Sequence, residues 1–242
     1  MRGRLHVQTL GTELPLLMDR QILTPDPGST MYPFTILLGG HVTPTSRLQA
    51  QIAGSRVIAA DGGMQHAANL GLLAELWVGD FDSASSELQA AYTQIPREEH
   101  PTDKDFTDGE LAIEAALARG ADRLILVGAM GGQTDQTLAH LLLGLRLAQR
   151  GIPTLLTSGH EEAYPLLPGV LGLDLPPYSK LSLLPLGGFV GLSIRGVRWP
   201  LHRSAVPLGS TRTLSNQVLG QVEIELVAGY GLVFAYPEPA TL

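Results

Sequence analysis

The chain has 242 residues, 44% of them hydrophobic and 16% charged, and its formal net charge is -7. This length permits one large domain or two modest ones. The acidic balance gives no signal for a nucleic-acid partner, and the absence of cysteine excludes disulfides, thiolate metal sites and cysteine nucleophiles. No apolar run approaches the roughly 18 residues of a membrane-spanning helix, so we expect a cytoplasmic protein without a membrane partner.

Residues 1–30 show little hydrophobic periodicity and contain Pro15, Pro25 and Pro27. This pattern predicts a poorly ordered extension, because chain termini are often not held in place. The alternative is an additional edge strand around Arg4–Leu10.

Residues 31–160 alternate between uninterrupted apolar runs and helical segments. The predicted strands are Thr35–Leu38, Arg56–Ala60, Leu76–Val78, Leu124–Val127 and Thr154–Thr157. The predicted helices are Met64–Leu70, Ser85–Ile95, Thr107–Arg119 and Thr134–Gln149. Apolar strands alternating with helices indicate a parallel sheet covered on both faces, so this region is expected to be a Rossmann-like α/β domain.

Residues 165–242 have a different sequence pattern, in which prolines and glycine-rich turns separate short β-like runs. These runs are Leu181–Leu184, Leu192–Ile194, Val222–Val227 and Leu232–Tyr236. The pattern predicts a small all-β domain, most simply a sandwich.

Two aspartates, Asp80 and Asp82, directly follow the predicted strand Leu76–Val78. Ligands of parallel sheets bind at the carboxyl ends of strands, and residues i and i+2 of an extended segment project to the same side. Such a carboxylate pair repels unless a cation intervenes, and Mg²⁺ prefers one or two carboxylates together with substrate phosphates. The alternative is an Asp-rich turn that ends in a helix N-cap at Ser83 or Ser85.

A second acidic segment runs from Asp103 to Asp108. Thr107 and Glu110 have the spacing of a capping box, which places Asp108 in the first turn of the following helix. Stabilisation of the helix dipole alone explains that aspartate. However, residues 79–119 contain ten acidic and three basic residues, and acidic residues concentrated near strand ends favour a metal site.

Two further junctions between a strand and a helix are glycine-rich. Asp61-Gly62-Gly63 follows one predicted strand, and Gly128–Asp135 follows another. Glycine lets the backbone approach a ligand, and a helix N-terminus offers free N–H groups. A tight turn is the more common explanation of such glycines, and the second junction is not a Walker motif because no lysine follows its glycines.

These motifs, in this order, resemble those of the thiamine pyrophosphokinase family. The resemblance rests on Ala-Asp-Gly-Gly at 60–63, Gly-Asp-Phe-Asp-Ser at 79–83, Lys-Asp-Phe-Thr-Asp at 104–108 and Gly-Gly-Gln-Thr-Asp-Gln at 131–136. It continues in Gly-Val-Arg-Trp-Pro-Leu at 196–201 and Leu-Ser-Asn at 214–216. It implies an α/β ATP-binding domain, a β-sandwich domain and a homodimer that transfers diphosphate from ATP to thiamine.

The resemblance also implies roles for particular residues. Four aspartates would surround Mg²⁺ and the ATP phosphates as catalytic residues: Asp61, Asp80, Asp82 and Asp108. The direct metal ligands among them would be Asp80, Asp82 and Asp108. The ATP site would include Gly62, Gly63, Lys104, Asp105, Thr107, Gln133, Asp135 and Gln136. Thiamine would contact Trp199, Ser215 and Asn216, between the α/β domain of one subunit and the β domain of the other.

Gln133 departs from the family pattern, which commonly has arginine at this position. Glutamine lacks the permanent charge and the two-pronged phosphate contact of arginine. Compensation could come from Lys104, Arg203 or Arg212, and the alternative is that Gln133 only faces solvent. The rival functions are a diphosphokinase for another alcohol, such as a hydroxymethylpterin, and a non-catalytic ATP-binding module.

Overall fold

The computed structural model of the chain describes residues 20–21, 32–101, 103 and 105–237. In the N-terminal region it shows a two-residue strand, β1 (Arg20–Gln21), which pairs in parallel with the later strand Gly169–Leu173. The possible edge strand at Arg4–Leu10, the rest of the predicted extension and Lys104 lie outside the described residues. Within the described part of the chain, no helix is long and apolar enough to cross a membrane.

Six parallel strands form one end of a large sheet. They are β2 (Pro33–Leu37), β3 (Arg56–Ala60), β4 (Leu76–Gly79), β5 (Arg97–Glu99), β6 (Arg123–Val127) and β7 (Thr154–Thr157). Their spatial order is β5-β4-β3-β2-β6-β7. All five predicted strands of this half are confirmed, and β5 is an additional edge strand.

Helices connect these strands and cover both faces of the sheet. They are α1 (Ser46–Ile52), a 3₁₀ turn (Asp61–Gln65), α2 (His66–Leu70), α3 (Ser86–Ala91), α4 (Asp108–Ala118) and α5 (Thr134–Gln149). Side chains of β2 alternate between two cores: Ile36 packs with Ile113 of α4, and Leu37 packs in the core that contains Leu48 of α1. The helix predicted at 85–95 is confirmed only in part: α3 begins at Ser86 and ends at Ala91.

Six strands form the second half of the chain. They are β8 (Glu162–Leu166), β9 (Gly169–Leu173), β10 (Lys180–Val197), β11 (Leu201–Val206), β12 (Asn216–Leu226) and β13 (Ala228–Tyr236). Two of the predicted β runs, at 181–184 and 192–194, belong to the single long strand β10. Its register against β13 shifts between Pro185 and Phe189, where Gly188 has a positive φ of 75°.

The sheet continues from one half of the chain into the other. Strand β8 pairs antiparallel with β7 on one side and with β13 on the other. The fold is therefore a mixed α/β structure with one 13-stranded sheet, parallel at one end and followed by an antiparallel β region.

A buried polar cluster supports this junction. Glu162 of β8 is only 1% exposed, and its carboxylate accepts two hydrogen bonds from Arg47 of α1, at 2.6 and 3.1 Å. Gln51 and the hydroxyl of Tyr164 also donate to this carboxylate. Burial and the Glu162 carboxylate raise the pKa of Tyr164 well above its usual value, so the phenol remains a donor.

Candidate active site

Three aspartates that are distant in sequence meet at the carboxyl ends of the parallel strands. Asp61 follows β3, Asp80 follows β4, and Asp108 begins α4. One carboxylate oxygen from each of the three lies within 4.8 Å of the other two. We call these three side chains the carboxylate trio.

Asp61 is held in an unusual conformation. Its φ is +41°, in the left-handed region that aspartate tolerates better than most residues. Its carbonyl oxygen accepts a hydrogen bond of 2.8 Å from the indole Nε1 of Trp77. The trio therefore depends on a backbone geometry that only the folded chain supplies.

The carboxylate of Asp61 is costly to ionise. Burial raises its pKa, hydrogen bonds with Ser83 and Gly62 partly oppose that rise, and the nearby charges of Asp108 and Asp82 raise it further. Its Oδ1 atom is buried and has no hydrogen-bond partner among the described residues. A buried carboxylate oxygen without a donor, next to two other carboxylates, is well suited to a cation.

Asp82 lies beside the trio but not in it. Asp82 is exposed, and its Oδ1 accepts a hydrogen bond of 3.0 Å from the Ser83 hydroxyl. The predicted ligand set contained Asp82, whereas the carboxylates that converge are those of Asp61, Asp80 and Asp108. The difference arises at Phe81, whose φ of +64° breaks the extended geometry that would place Asp80 and Asp82 on one side.

The start of α4 follows the predicted pattern. Thr107 is the N-cap, and its Oγ1 accepts a hydrogen bond of 3.2 Å from the backbone N–H of Glu110. Asp108 is in the first helical turn, as predicted, and it is the member of the trio that this cap positions. Asp105, predicted to contact ATP, is exposed just before the helix.

The two glycines after Asp61 have close backbone neighbours. A Cβ atom at Gly63 would lie 2.2 Å from the carbonyl oxygen of Leu37, and one at Gly62 would lie 3.3 Å from the carbonyl oxygen of Ser83. Close packing against the backbone at the end of β2 therefore explains Gly63 without a ligand. Gly62 brings the turn after β3 against the segment that carries Asp80.

The residues predicted at the start of α5 are all at the surface. Gln133 is the N-cap residue, makes no side-chain capping bond and is exposed, as are Asp135 and Gln136. Gln136 and Thr107 line one groove of about 240 Å³ between α4 and α5. The structure thus brings together two of the predicted nucleotide contacts, and Gln133 faces solvent in the free protein.

The second half of the chain contains a cavity of about 480 Å³, within the usual size range of small-molecule sites. Its lining includes Trp199, Ser215 and Asn216, the three residues predicted to contact thiamine. Asn216 fixes the Trp199 backbone: its Oδ1 accepts from the Trp199 N–H at 3.1 Å, and its Nδ2 donates to the Trp199 carbonyl at 2.8 Å. Trp199 is 56% exposed, so it is not a core residue.

A cluster of acidic residues in one half of the chain and a pocket of suitable size in the other define a two-part enzyme that acts on a small organic substrate. Family models agree with this division. The thiamin pyrophosphokinase catalytic domain matches residues 50–156, and the thiamin pyrophosphokinase vitamin B1 binding domain matches residues 173–230. The chain belongs to the thiamin pyrophosphokinase family.

Individual relatives show the same similarity. A thiamine pyrophosphokinase of Bacillus subtilis is 26% identical over 172 residues, which are 67% of this chain and 78% of the relative. A crystal structure of the B. subtilis enzyme has a TM-score of 0.75 at 21% identity and covers 85% of this chain and 99% of its own. Thiamin pyrophosphokinase from Candida albicans has a TM-score of 0.73 at 15% identity, with coverages of 86% and 90%.

Sequence reasoning missed two residues that shape the trio. Trp77 donates to the Asp61 carbonyl, and Gly79 leaves room for Asp61, since a Cβ at Gly79 would lie 3.1 Å from the Asp61 Cβ. The available signal was an indole in the middle of a short apolar strand, because a buried Trp N–H needs an acceptor.

Proposed function

We propose that this chain catalyses attack of the thiamine hydroxyl oxygen on the β-phosphorus of ATP, with Mg²⁺ as cofactor. The new bond joins that oxygen to the β-phosphorus, and the bond from the β-phosphorus to the oxygen bridging it to the α-phosphorus breaks. The hydroxyl proton passes to a base, and AMP leaves. The observation that carries this proposal is that the carboxylate trio lies within the matched catalytic domain, while the Trp199 cavity lies within the matched vitamin B1 binding domain.

The trio fits a hard divalent cation. All three donors are carboxylate oxygens, and Asp61 has a buried Oδ1 that lacks a hydrogen-bond partner in the part of the chain that the structure describes. Asp61, Asp80 and Asp108 would hold Mg²⁺, which when bound neutralises phosphate charge. The chain itself supplies rigid placement of these oxygens through the Thr107 cap and the Trp77 hydrogen bond.

Nucleotide contacts are proposed along the edge of the sheet next to the trio. Thr107 and Gln136 share the groove between α4 and α5, which extends from the trio-bearing end of α4. The remaining proposed contacts are Gly62, Gly63, Lys104, Asp105, Gln133 and Asp135. Asp82, exposed beside the trio, is the fourth proposed catalytic carboxylate.

Thiamine is proposed to bind in the cavity beside Trp199. The guanidinium of Arg198 lies 5.0 Å from the centroid of the Trp199 ring, so one face of the indole is already covered. The exposed remainder of the ring can stack on a planar heterocycle. Ser215, at a φ of +57°, and Asn216 would provide the polar contacts that set the orientation.

The finer architecture belongs to the same proposal. We assign a Rossmann-like domain to residues 31–160 and a β-sandwich domain to residues 165–242, in a homodimer. The trio and the cavity lie in different halves of the chain, and a shared active site would join the trio of one subunit to the cavity of the other.

The direct test is mass-spectrometric detection of thiamine diphosphate after incubation with thiamine and Mg-ATP. AMP should form in equal amount and only when thiamine is present. Release of AMP with a hydroxymethylpterin but not with thiamine would contradict the assigned acceptor. ATP binding without AMP formation would indicate a non-catalytic module.

A further inference from the structure

The side chain of Trp77 contacts both segments that carry the first two trio members. It is fully buried in β4, three residues before Asp80. Its Nε1–H donates to the carbonyl of Asp61, and its ring packs edge-on against Phe81 at a centroid distance of 4.9 Å and an interplanar angle of 84°. Phe81 is the neighbour of Asp80 in the chain.

Both segments have backbone conformations that disfavour residues with a Cβ atom. Asp61 has a φ of +41° and Phe81 has a φ of +64°. Such conformations persist only where surrounding contacts enforce them, and they concentrate at functional sites. The indole N–H enforces the first conformation, and the edge of the same ring supports the second.

The hydrogen bond to Asp61 determines where its carboxylate lies. The acceptor is the backbone carbonyl, so rotation of that peptide toward a negative φ would break the bond and move the side chain on the same Cα. The carboxylate itself has hydrogen bonds with Ser83 and Gly62, but its buried Oδ1 has no hydrogen-bond partner among the described residues. Backbone fixation by Trp77 adds a restraint that does not occupy a carboxylate oxygen.

The guanidinium of Arg97 packs over the indole of Trp77. Its guanidinium carbon lies 4.9 Å from the Trp77 ring centroid and 5.0 Å from that of Phe81, and its Nη2 donates to the carbonyl of Gln89 at 3.0 Å. This cation–π contact restrains both aromatic rings at once. The edge strand β5 thus contributes to the metal site without providing a ligand.

We propose that Trp77 is a positioning residue for the divalent cation: its N–H fixes the Asp61 backbone, and thereby sets the affinity of the carboxylate trio for metal. This inference rests on the proposed function of the trio. Groups that orient metal ligands typically change metal affinity by 10- to 100-fold when they are removed.

The test is a titration of the full chain with Mn²⁺ in the absence of nucleotide. Electron paramagnetic resonance measures the concentration of free Mn²⁺ at each step. Trp77→Phe keeps an aromatic ring but removes the N–H. We expect its Mn²⁺ dissociation constant to rise about tenfold, with the KM for thiamine unchanged. Should this variant fold poorly, a benzothienyl-alanine at position 77 removes the N–H while preserving the shape of the indole, and the same increase is expected.

Tyr92→Leu is the matched control. Tyr92 packs edge-on against the same indole at 6.3 Å, so its loss weakens the packing of Trp77 but leaves the N–H in place. The control should melt at a lower temperature yet bind Mn²⁺ like the wild type. Wild-type affinity in both N–H-deficient proteins, or an equal loss in Tyr92→Leu, would overturn the positioning role.

A different result would reject the trio itself. If the wild-type chain binds no Mn²⁺, or if Asp80→Asn binds it unchanged, then the metal site is wrong and the role of Trp77 is rejected with it. If only the positioning role of Trp77 is wrong, the wild-type chain still binds Mn²⁺ and Asp80→Asn still binds it more weakly.

Discussion

Arg47 and Glu162 form a two-pronged ion pair across the junction between the parallel and antiparallel parts of the sheet. The Arg47 side chain is 29% exposed, whereas that of Glu162 is almost fully buried. The carboxylate therefore depends on Arg47, Gln51 and Tyr164 for the hydrogen bonds that water would otherwise provide.

Substitution Glu162→Gln should destabilise the fold by about 3 kcal/mol, because it leaves a partly buried guanidinium without its charge partner. Urea denaturation measures this change. The matched control is Glu114→Gln, which breaks the exposed pair of Arg150 and Glu114 and should cost less than about 1 kcal/mol. An equal decrease in the free energy of unfolding in both variants would show that the buried pair stabilises the fold no more than the exposed pair does.

Asp61→Asn should raise the melting temperature at neutral pH in the absence of divalent metal. The pKa of Asp61 is raised in the folded state, so its favourable contribution is present at acid pH and is lost as pH rises through the folded pKa. Asparagine avoids that cost and tolerates a positive φ. A gain of about 2–4 °C is expected near pH 7.5, which corresponds to roughly 1 kcal/mol in a chain of this size.

The gain should shrink as pH falls, because the folded wild type takes up the proton of this carboxyl at a higher pH than the unfolded chain does, and differential scanning fluorimetry across pH 4–8 follows it. The exposed Asp103→Asn variant is a control for the loss of one negative charge at the surface. Added Mg²⁺ should stabilise the wild type more than Asp61→Asn. A melting temperature of Asp61→Asn below that of the wild type throughout would contradict the assigned cost of this buried charge.

Asp80→Asn should reduce kcat by about 10²–10³, since it removes a member of the trio and with it several kcal/mol of charge stabilisation. Asp82→Asn should reduce kcat by only about tenfold, because its side chain is exposed and outside the trio. Steady-state kinetics at saturating Mg-ATP separates the two. The reverse order of effects would restore Asp82 to the ligand set.

Gln133→Arg should lower the KM for ATP by about three- to tenfold, because a guanidinium at this exposed helix start adds a permanent charge and a forked donor. The gain should fall as ionic strength rises. Gln133→Lys provides the positive charge without the two parallel N–H donors of a guanidinium, so it should lower the KM for ATP by less. An unchanged KM would place this residue away from the phosphates.

Mixed subunits test whether the active site is shared. Asp80→Asn and Trp199→Ala homodimers should each be nearly inactive, whereas refolding an equimolar mixture should restore about a quarter of the wild-type rate. Statistical mixing makes half of the dimers mixed, and each of these has one intact site of two. Activity that remains at the level of the parent variants would place both halves of the site in one chain.

The parallel strands could be predicted because their apolar runs are continuous, as in Arg56–Ala60. Strand β5 could not, because Arg97-Glu98-Glu99 is polar and lies at the sheet edge. Strand β8 was missed for a different reason: it contains Glu162 and Pro165, and the burial of this glutamate depends on Arg47 and Gln51, which are more than 100 residues away in sequence.

The site was predictable to the level of segments rather than of side-chain directions. The cap at Thr107 is local and was predicted correctly. The structure places Asp61 in the trio where the sequence predicted Asp82, and this difference depends on positive φ values at Asp61 and Phe81. The contact that supports Asp61 comes from the neighbouring strand β4, through the indole of Trp77. Spacing along the sequence does not contain that information.

The pairing of β7 with β8 has a consequence for motion within the chain. A hydrogen-bonded ladder at residues 156–157 and 162–163 ties the two halves of one chain together. Bending there would break backbone hydrogen bonds and separate the Arg47 guanidinium from its buried carboxylate. Relative movement of the carboxylate trio and the Trp199 cavity within one chain would therefore cost both these backbone hydrogen bonds and the buried ion pair.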